Sequence, residues 1–171
     1  IFQAITAHLT AHGGVMTEHE LLASLCENRY YPHVSFLLDI GSSFHRVAES
    51  NDYHQRWAIH KDIAHRAEKV LNTTVKELED NKRTVSGGEL HAIVSRVGKE
   101  VHGEELPEHV VQTLLASSKH IHKNPYNEYG LAWWPSINPS GVKDKAYVAI
   151  AKAGKPLHFR EVAEVINKAG W

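Results

Sequence analysis

Ser86-Gly87-Gly88-Glu89-Leu90-His91-Ala92-Ile93-Val94 is the stretch that decides how this chain folds. A hydroxyl at a helix N-cap accepts from an amide of the first turn, and a Glu three residues on reaches back to the N-cap amide. Leu90, Ile93 and Val94 then fall on one helical face. The pattern occurs twice more. Thr17-Glu18-His19-Glu20 precedes Leu21, Leu22 and Leu25, and His158-Phe159-Arg160-Glu161 precedes Val162, Val165 and Ile166. The third keeps the Glu but puts His at the cap, a weaker version of the box. The caps are separated by 69 and 72 residues. One such box marks only the start of a helix, whereas three at a regular period mark a repeat.

Each box is preceded by an amphipathic helix and a break. Phe2, Ile5 and Leu9 lead to Gly13-Gly14 and Val15-Met16; Ala67, Val70, Leu71, Val75 and Leu78 lead to Asn81-Lys82-Arg83 and Val85. Tyr147, Val148, Ile150 and Ala151 lead to Gly154 and Pro156-Leu157. The order is helix, turn, a short extended touch, then a capped helix. After it, the first copy continues into a short third helix over His33-Val34-Ser35-Phe36-Leu37-Leu38. The β-prone runs Phe44–Glu49 and Tyr53–Ile59 then flank the turn Ser50-Asn51-Asp52. In the second copy Pro107 opens a third helix over Val110–Leu115. Lys119–Lys123 and Tyr129–Trp133 then flank Asn124-Pro125-Tyr126-Asn127.

Three helices followed by a hairpin is the winged-helix plan. The expected fold is therefore mainly α with small β-hairpin wings, as tandem winged-helix units over 1–63 and 64–138. A truncated helix-turn-helix follows over 139–171, ending at Trp171 where its third helix should begin. Two helices cannot close a three-helix core, so this last piece must lean on its neighbour or stay loose. Trp133-Trp134-Pro135 joins it to the second unit, with the tryptophans expected to pack at the junction. Ile1 is not an initiator Met, and the chain reads as a fragment.

Composition narrows the function. The longest apolar runs are short, so no membrane span is expected, and no signal-peptide layout opens the chain. The single Cys26 excludes an internal disulfide and a cysteine zinc cluster; its helical setting suits buried filler, and a chain without disulfides fits the cytoplasm. Residues 1–63 hold 4 Lys+Arg against 7 Asp+Glu, 64–138 hold 9 against 10, and 139–171 hold 6 against 3. Only the last segment has the basic balance of a phosphate-gripping protein.

Lys155-Pro156-Leu157-His158-Phe159-Arg160-Glu161-Val162-Ala163, with Lys145-Ala146-Tyr147 before it, closely resembles the HARE-type helix-turn-helix domain. That family includes the delta subunit of bacterial RNA polymerase and modules of chromatin proteins and restriction endonucleases. The match covers about the last thirty residues. Phe36-Leu37-Leu38 with Phe44, Tyr53-His54-Gln55-Arg56-Trp57 and Lys123-Asn124-Pro125 also resemble the C-terminal part of bacterial sigma-factor-like proteins. In those, a sigma region 4 reader precedes winged-helix units and a final HARE domain. The resemblance implies a transcription-related binding module in the cytoplasm, associated with the nucleoid, and a sigma-type reader upstream of Ile1. It carries over no catalytic residue.

Chemistry is not expected. Fourteen histidines invite a metal site, and His8 with His12, or His120 with His122, share a face. Zinc needs three or four convergent ligands with outer support, and neither pair has an adjacent Cys or a His-Glu-x-x-His helix. No metal, cofactor or small-molecule substrate is expected, and no nucleophile signature is present. Gly87-Gly88 is explained by its capping box, and Glu100, Glu104, Glu105 and Glu108 read as a solvated acidic face.

In a winged helix the third helix enters the major groove and the wing touches the backbone or minor groove. The third helices here offer His33, Ser35 and Asp39, then Glu108, His109, Gln112, Thr113 and Ser117, which are polar but not basic. The candidate DNA contacts are Arg46 and Arg56 in the first wing, and Lys82 and Arg83 before the second capped helix. His109, Gln112 and Thr113 on the third helix of the second unit join them, with Lys119 and Lys123 in its wing. Lys143, Lys145 and Arg160 complete the set in the last segment. Two readings stay open: contact with DNA, promoter or non-specific, or docking onto RNA polymerase or another protein with no direct DNA contact.

Overall fold

The computed structural model describes residues 1–170, and Trp171, the end of the expected third unit, lies outside them. The chain is mainly helical with two small three-stranded antiparallel sheets. In order it runs α1 (Phe2–Ala11), β1 (Val15–Thr17), α2 (Glu18–Leu25), α3 (Tyr31–Ile40), β2 (His45–Val47) and β3 (Arg56–Ala58). Next come α4 (Lys61–Asn81), β4 (Val85–Ser86), α5 (Gly87–His102), α6 (Glu108–Ser117), β5 (Ile121–Lys123) and β6 (Glu128–Leu131). The order helix, strand, helix, helix, strand, strand thus occurs twice, with sheet orders β1-β3-β2 and β4-β6-β5. The chain then continues with α7 (Val142–Ala153) and α8 (Phe159–Ala169).

The capping chemistry holds, with differences of detail. Ser86 Oγ accepts from the Glu89 amide at 3.2 Å, and the Ser86 amide donates to Glu89 at 3.0 Å. At Thr17 the hydroxyl accepts from the Glu20 amide at 3.2 Å, but it also donates to the Glu20 carboxylate at 2.9 Å. The third cap is a full reciprocal box: His158 Nδ1 accepts from the Arg160 amide at 3.4 Å, while the His158 amide donates to Glu161 at 2.7 Å. An imidazole nitrogen thus does the work of a hydroxyl. The extended touch expected at Pro156-Leu157 is not a strand. Pro156 has no amide to offer a ladder, and no partner strand meets it among the described residues.

By contact in space the chain forms two compact units: Ile1–Glu77 with His91–Lys119, and Leu78–Leu90 with the chain from His120 onward. This grouping follows contacts, whereas the boundaries at 63/64 and 138/139 follow the repeat along the sequence.

In the first unit Ile5, Leu9, Met16, Leu21, Leu22, Leu38 and Trp57 make one buried cluster, with Leu25, Tyr31, Val34, Phe44 and Ile59 packed on its edge. Leu9 ends α1 in a Schellman turn: the Gly14 amide bonds its carbonyl at 2.7 Å and the Gly13 amide bonds Thr10 at 3.1 Å. Gly13 and Gly14 have φ +83° and +80°, which only glycine adopts without strain. The central strand β3 is buried throughout. Both hairpin strands are shorter than the β-prone runs suggest; Tyr53, which bonds Ser50 across the turn, also bridges to Ser118 after α6. On α4, Ala64, Ala67, Val70, Leu71 and Thr74 are buried at helical spacing. Gly98 on α5 admits the side chain of Leu106, whose carbonyl accepts from Ser95 at 3.2 Å.

In the second unit Asn124 closes the β5–β6 turn. Its side-chain oxygen accepts from the amides of Tyr126 at 2.9 Å and Glu128 at 3.0 Å. Trp134 packs over Gly130, while Trp133 is 51% exposed with its ring edge-on to His120 at 5.2 Å. Half of the expected tryptophan packing is therefore present. Val148 and Ala149 are the buried residues of α7, and α8 has none.

Candidate functional site

The surface of α3 is the least expected feature. Leu38 is buried and Val34 and Leu37 half-buried on its inner face, while Phe36 and Ile40 are 62% and 56% exposed one turn apart. Tyr30 precedes them, also exposed. At the C-terminal end of α3, Phe44 presses on Gly41, and its ring lies 6.2 Å from the half-exposed Phe2 of α1. Charges beside this apolar face are neutralised locally. Arg46 meets Asp39 at 3.5 Å, and Arg29 meets Glu27 at 3.1 Å while its guanidinium covers Tyr30 at 4.8 Å.

Several of the candidate DNA contacts are buried or already engaged. Arg56 is a correction: it is 2% exposed, paired with Glu68 and stacked on Tyr53 at 4.6 Å, so it presents nothing to a phosphate. Its place in the β-prone run hid this, because alternation cannot distinguish an outward wing residue from the buried middle of a sheet. Thr113 is also buried, donating to the His109 carbonyl at 2.9 Å, and cannot read a base edge. Lys119 is engaged by Glu49 and by the Ser50 carbonyl at 2.8 Å, and it holds Glu49 below the usual carboxylate range mainly through that hydrogen bond. Arg46 is exposed but shared between Asp39 and Gln55, and Arg83 is exposed but bonded to Glu89 at 2.9 Å. Gln112 is exposed, 3.4 Å from Glu108, and His109 meets the Ala11 carbonyl at 2.8 Å. Lys82 and Lys123 are exposed, both in the second unit.

The last segment differs. Lys143 and Arg160 are exposed and Lys145 half-exposed, and Arg160 lies 5.8 Å over the ring of Phe159. Val142, Tyr147, Ile150 and Phe159 are exposed beside them. No protein-family model, curated protein or solved structure matches the chain.

A concavity of about 700 Å³ in the first unit opens where Glu18, Glu20 and Glu49 face His19, His54 and Tyr31. Each carboxylate in it serves the fold. Glu18 accepts from Gln55 and, at 3.2 Å, from the Trp57 indole; Glu20 bonds Thr17 and Glu49 bonds Lys119. Among the described residues no group of three or more His, Cys, Asp or Glu is arranged to hold a metal ion, and no helix is long and apolar enough to cross a membrane. Glu100, Glu104, Glu105 and Glu108 are all exposed.

Sequence reasoning missed how α6 meets the first repeat. Val110 touches Gly13, the His54 amide donates to the Ser117 carbonyl at 3.0 Å, and the Lys119 amide donates to Asp52 at 2.9 Å. The first hairpin's tip is thereby held by the end of α6. Only the doubled glycine hinted at it, since one glycine suffices to end α1.

Proposed function

We propose that this chain is a non-catalytic docking module of transcription, built of tandem winged-helix units, in which α3 binds a protein surface instead of entering a DNA groove. The twice-repeated element order and the sheet orders β1-β3-β2 and β4-β6-β5 support the winged-helix reading. The link to transcription rests on the HARE-like residues Lys155–Ala163.

The observation that carries the docking reading is the outward pair Phe36 and Ile40 on a helix whose flanking charges are already paired. A phosphate backbone calls for free cations. A weakly charged protein surface with its own apolar groups suits this face, since large apolar residues with little net charge mark interface centres. RNA polymerase is the partner that the sigma-like resemblance indicates. Binding of the chain to purified bacterial RNA polymerase should be lost in a Phe36→Asp/Ile40→Asp variant that melts like the wild type. Absence of polymerase binding, or retention of it in that variant, overturns the reading.

One observation favours a second reading for the last segment alone. Lys143 and Arg160 are exposed cations in a stretch with a net excess of positive charge. A gel-shift titration across salt separates the two readings. DNA binding through these residues weakens steeply with salt and is lost in a Lys143→Glu/Arg160→Glu variant.

A further inference from the structure

Three histidines line the joint where α6 docks on α1. The rings of His8 and His12, one turn apart on α1, lie 4.5 Å centre to centre, and the ring of His109 meets His12 edge-on at 5.7 Å. Each also bonds a neighbouring element or turn. His109 Nε2 donates to the Ala11 carbonyl at 2.8 Å, and His12 Nδ1 to the His8 carbonyl at 2.9 Å. Ser24 of α2 gives its hydroxyl proton to the Leu21 carbonyl at 2.8 Å, so His8 Nε2 donates to Ser24 Oγ at 2.8 Å. One N–H per ring is therefore in use in the neutral form, and the other nitrogen is where a second proton would go.

We propose that this trio is a proton-operated clamp: neutral imidazoles hold α6 against α1, and their protonation drives the joint open and frees the first hairpin's tip. The steps follow from placement. A single positive charge is tolerated at the C-terminal end of α1, where unpaired carbonyls favour a cation. A second charge within 4.5 or 5.7 Å of the first is not.

Charges of both signs stand around the joint. α1 carries no carboxylate, and on α2 the group that meets His8 is the uncharged Ser24. Glu108 of α6 is exposed to solvent. The adjoining cavity beside Ala11, about 440 Å³, is faced by Arg66, which adds a fixed positive charge, by His102, and by Glu104 and Glu105, which add negative charge from exposed positions. Burial, then His12, lowers the His8 pKa below the usual imidazole value, and burial with Arg66 does the same for His102. Both groups therefore bind protons more readily in the open state, so closure is fully favoured above about pH 6.5 and weakens below it.

Opening is coupled to a readable event. The same helix ends in Ser117, Ser118 and Lys119, which hold the hairpin tip through the His54 and Lys119 amides. Hydrogen exchange of the full chain, corrected for intrinsic rates, should show protection at these two amides falling between pH 7.5 and 5.5. The expected loss is about tenfold per pH unit for each proton taken up. Protection at Val162 in α8 should not change. His12→Gln/His109→Gln should keep wild-type protection at pH 7.5 and retain it at pH 5.5; if the pair fails to fold, His109→Gln alone, which still donates to Ala11, carries the test. The clamp is overturned by pH-independent protection in the wild type. It is equally overturned by a parallel loss at Val162, or by a wild-type pH dependence in the Gln variants. None of these outcomes depends on what α3 binds.

Discussion

Arg56 and Glu68 form an ion pair whose guanidinium is sealed inside the first unit while the carboxylate keeps a partial view of solvent. Burial depresses the Arg56 pKa, and Glu68 opposes that shift. Tyr53 completes the arrangement: its ring lies under the guanidinium, and its hydroxyl donates to Asn72 at 2.5 Å. Burial, and then Glu68, push the Tyr53 hydroxyl up to about 12. Removing one partner of such a pair costs more than removing both. Glu68→Ala should therefore cost about 3 kcal/mol in urea unfolding, while Arg56→Met/Glu68→Ala recovers most of it. Equal destabilisation by the single and double variants would count against the account.

Gly13 and Val110 meet where α6 crosses the end of α1. A Cβ on Gly13 would lie 2.6 Å from Val110 Cγ1, in a backbone at φ +83° that side chains avoid. Gly13→Ala combines both penalties and should lower stability by about 2–4 kcal/mol. Val110→Ala in the same chain should relieve the clash but not the backbone strain, so only part of the loss returns. Full recovery in the thermal midpoint would mean that the left-handed turn contributes nothing.

What could be read from sequence was local chemistry. Ser86 with Glu89, the doubled glycine at 13–14 and the Asn124 turn are recognisable because each acts on amides within a few residues. The repeat of elements was legible for the same reason. What could not be read depended on partners far along the chain. Arg56 looks like a wing cation until Glu68 and Tyr53 close around it, and Lys119 looks free until Glu49 meets it. The apolar run Phe36-Leu37-Leu38 announces a helix but not which residue faces out. Only the packing of Leu38 against Trp57 and its neighbours settles that. Imidazole is an uncommon cap, which makes His158 look weak in the sequence, yet its Nδ1 is placed to accept.

Lys82 ends α4 with φ 51°, its amide bonded to the Leu78 carbonyl at 3.0 Å. Glycine is the usual residue in this left-handed position. Lys82→Gly should raise stability by about 0.5–1 kcal/mol, less whatever the lysine charge contributes at the helix end. Lys82→Val should lower it by more than about 1 kcal/mol, since a β-branched side chain tolerates this backbone least. The order Gly, Lys, Val in thermal midpoint checks the argument, and any other order refutes it.

Glu89 titrates far below other carboxylates, at about 2, chiefly because Arg83 bonds it and secondarily because it accepts from the Ser86 amide. The sign follows from linkage: a carboxylate depressed in the folded state stabilises the fold above its ordinary pKa near 4.5, and that contribution is lost as pH falls toward 2. Carbon-detected titration of the Glu89 carboxylate should place its midpoint near 2 in the wild type. Arg83→Gln should move the midpoint toward the ordinary value but not all the way, because the Ser86 amide still donates. Ser86→Ala leaves that amide in place and removes only the hydroxyl cap, so it should cost about 1 kcal/mol with a small change in midpoint. A wild-type midpoint near 4.5 would show that neither Arg83 nor the Ser86 amide holds Glu89, and Arg83 would then be available to bind a phosphate.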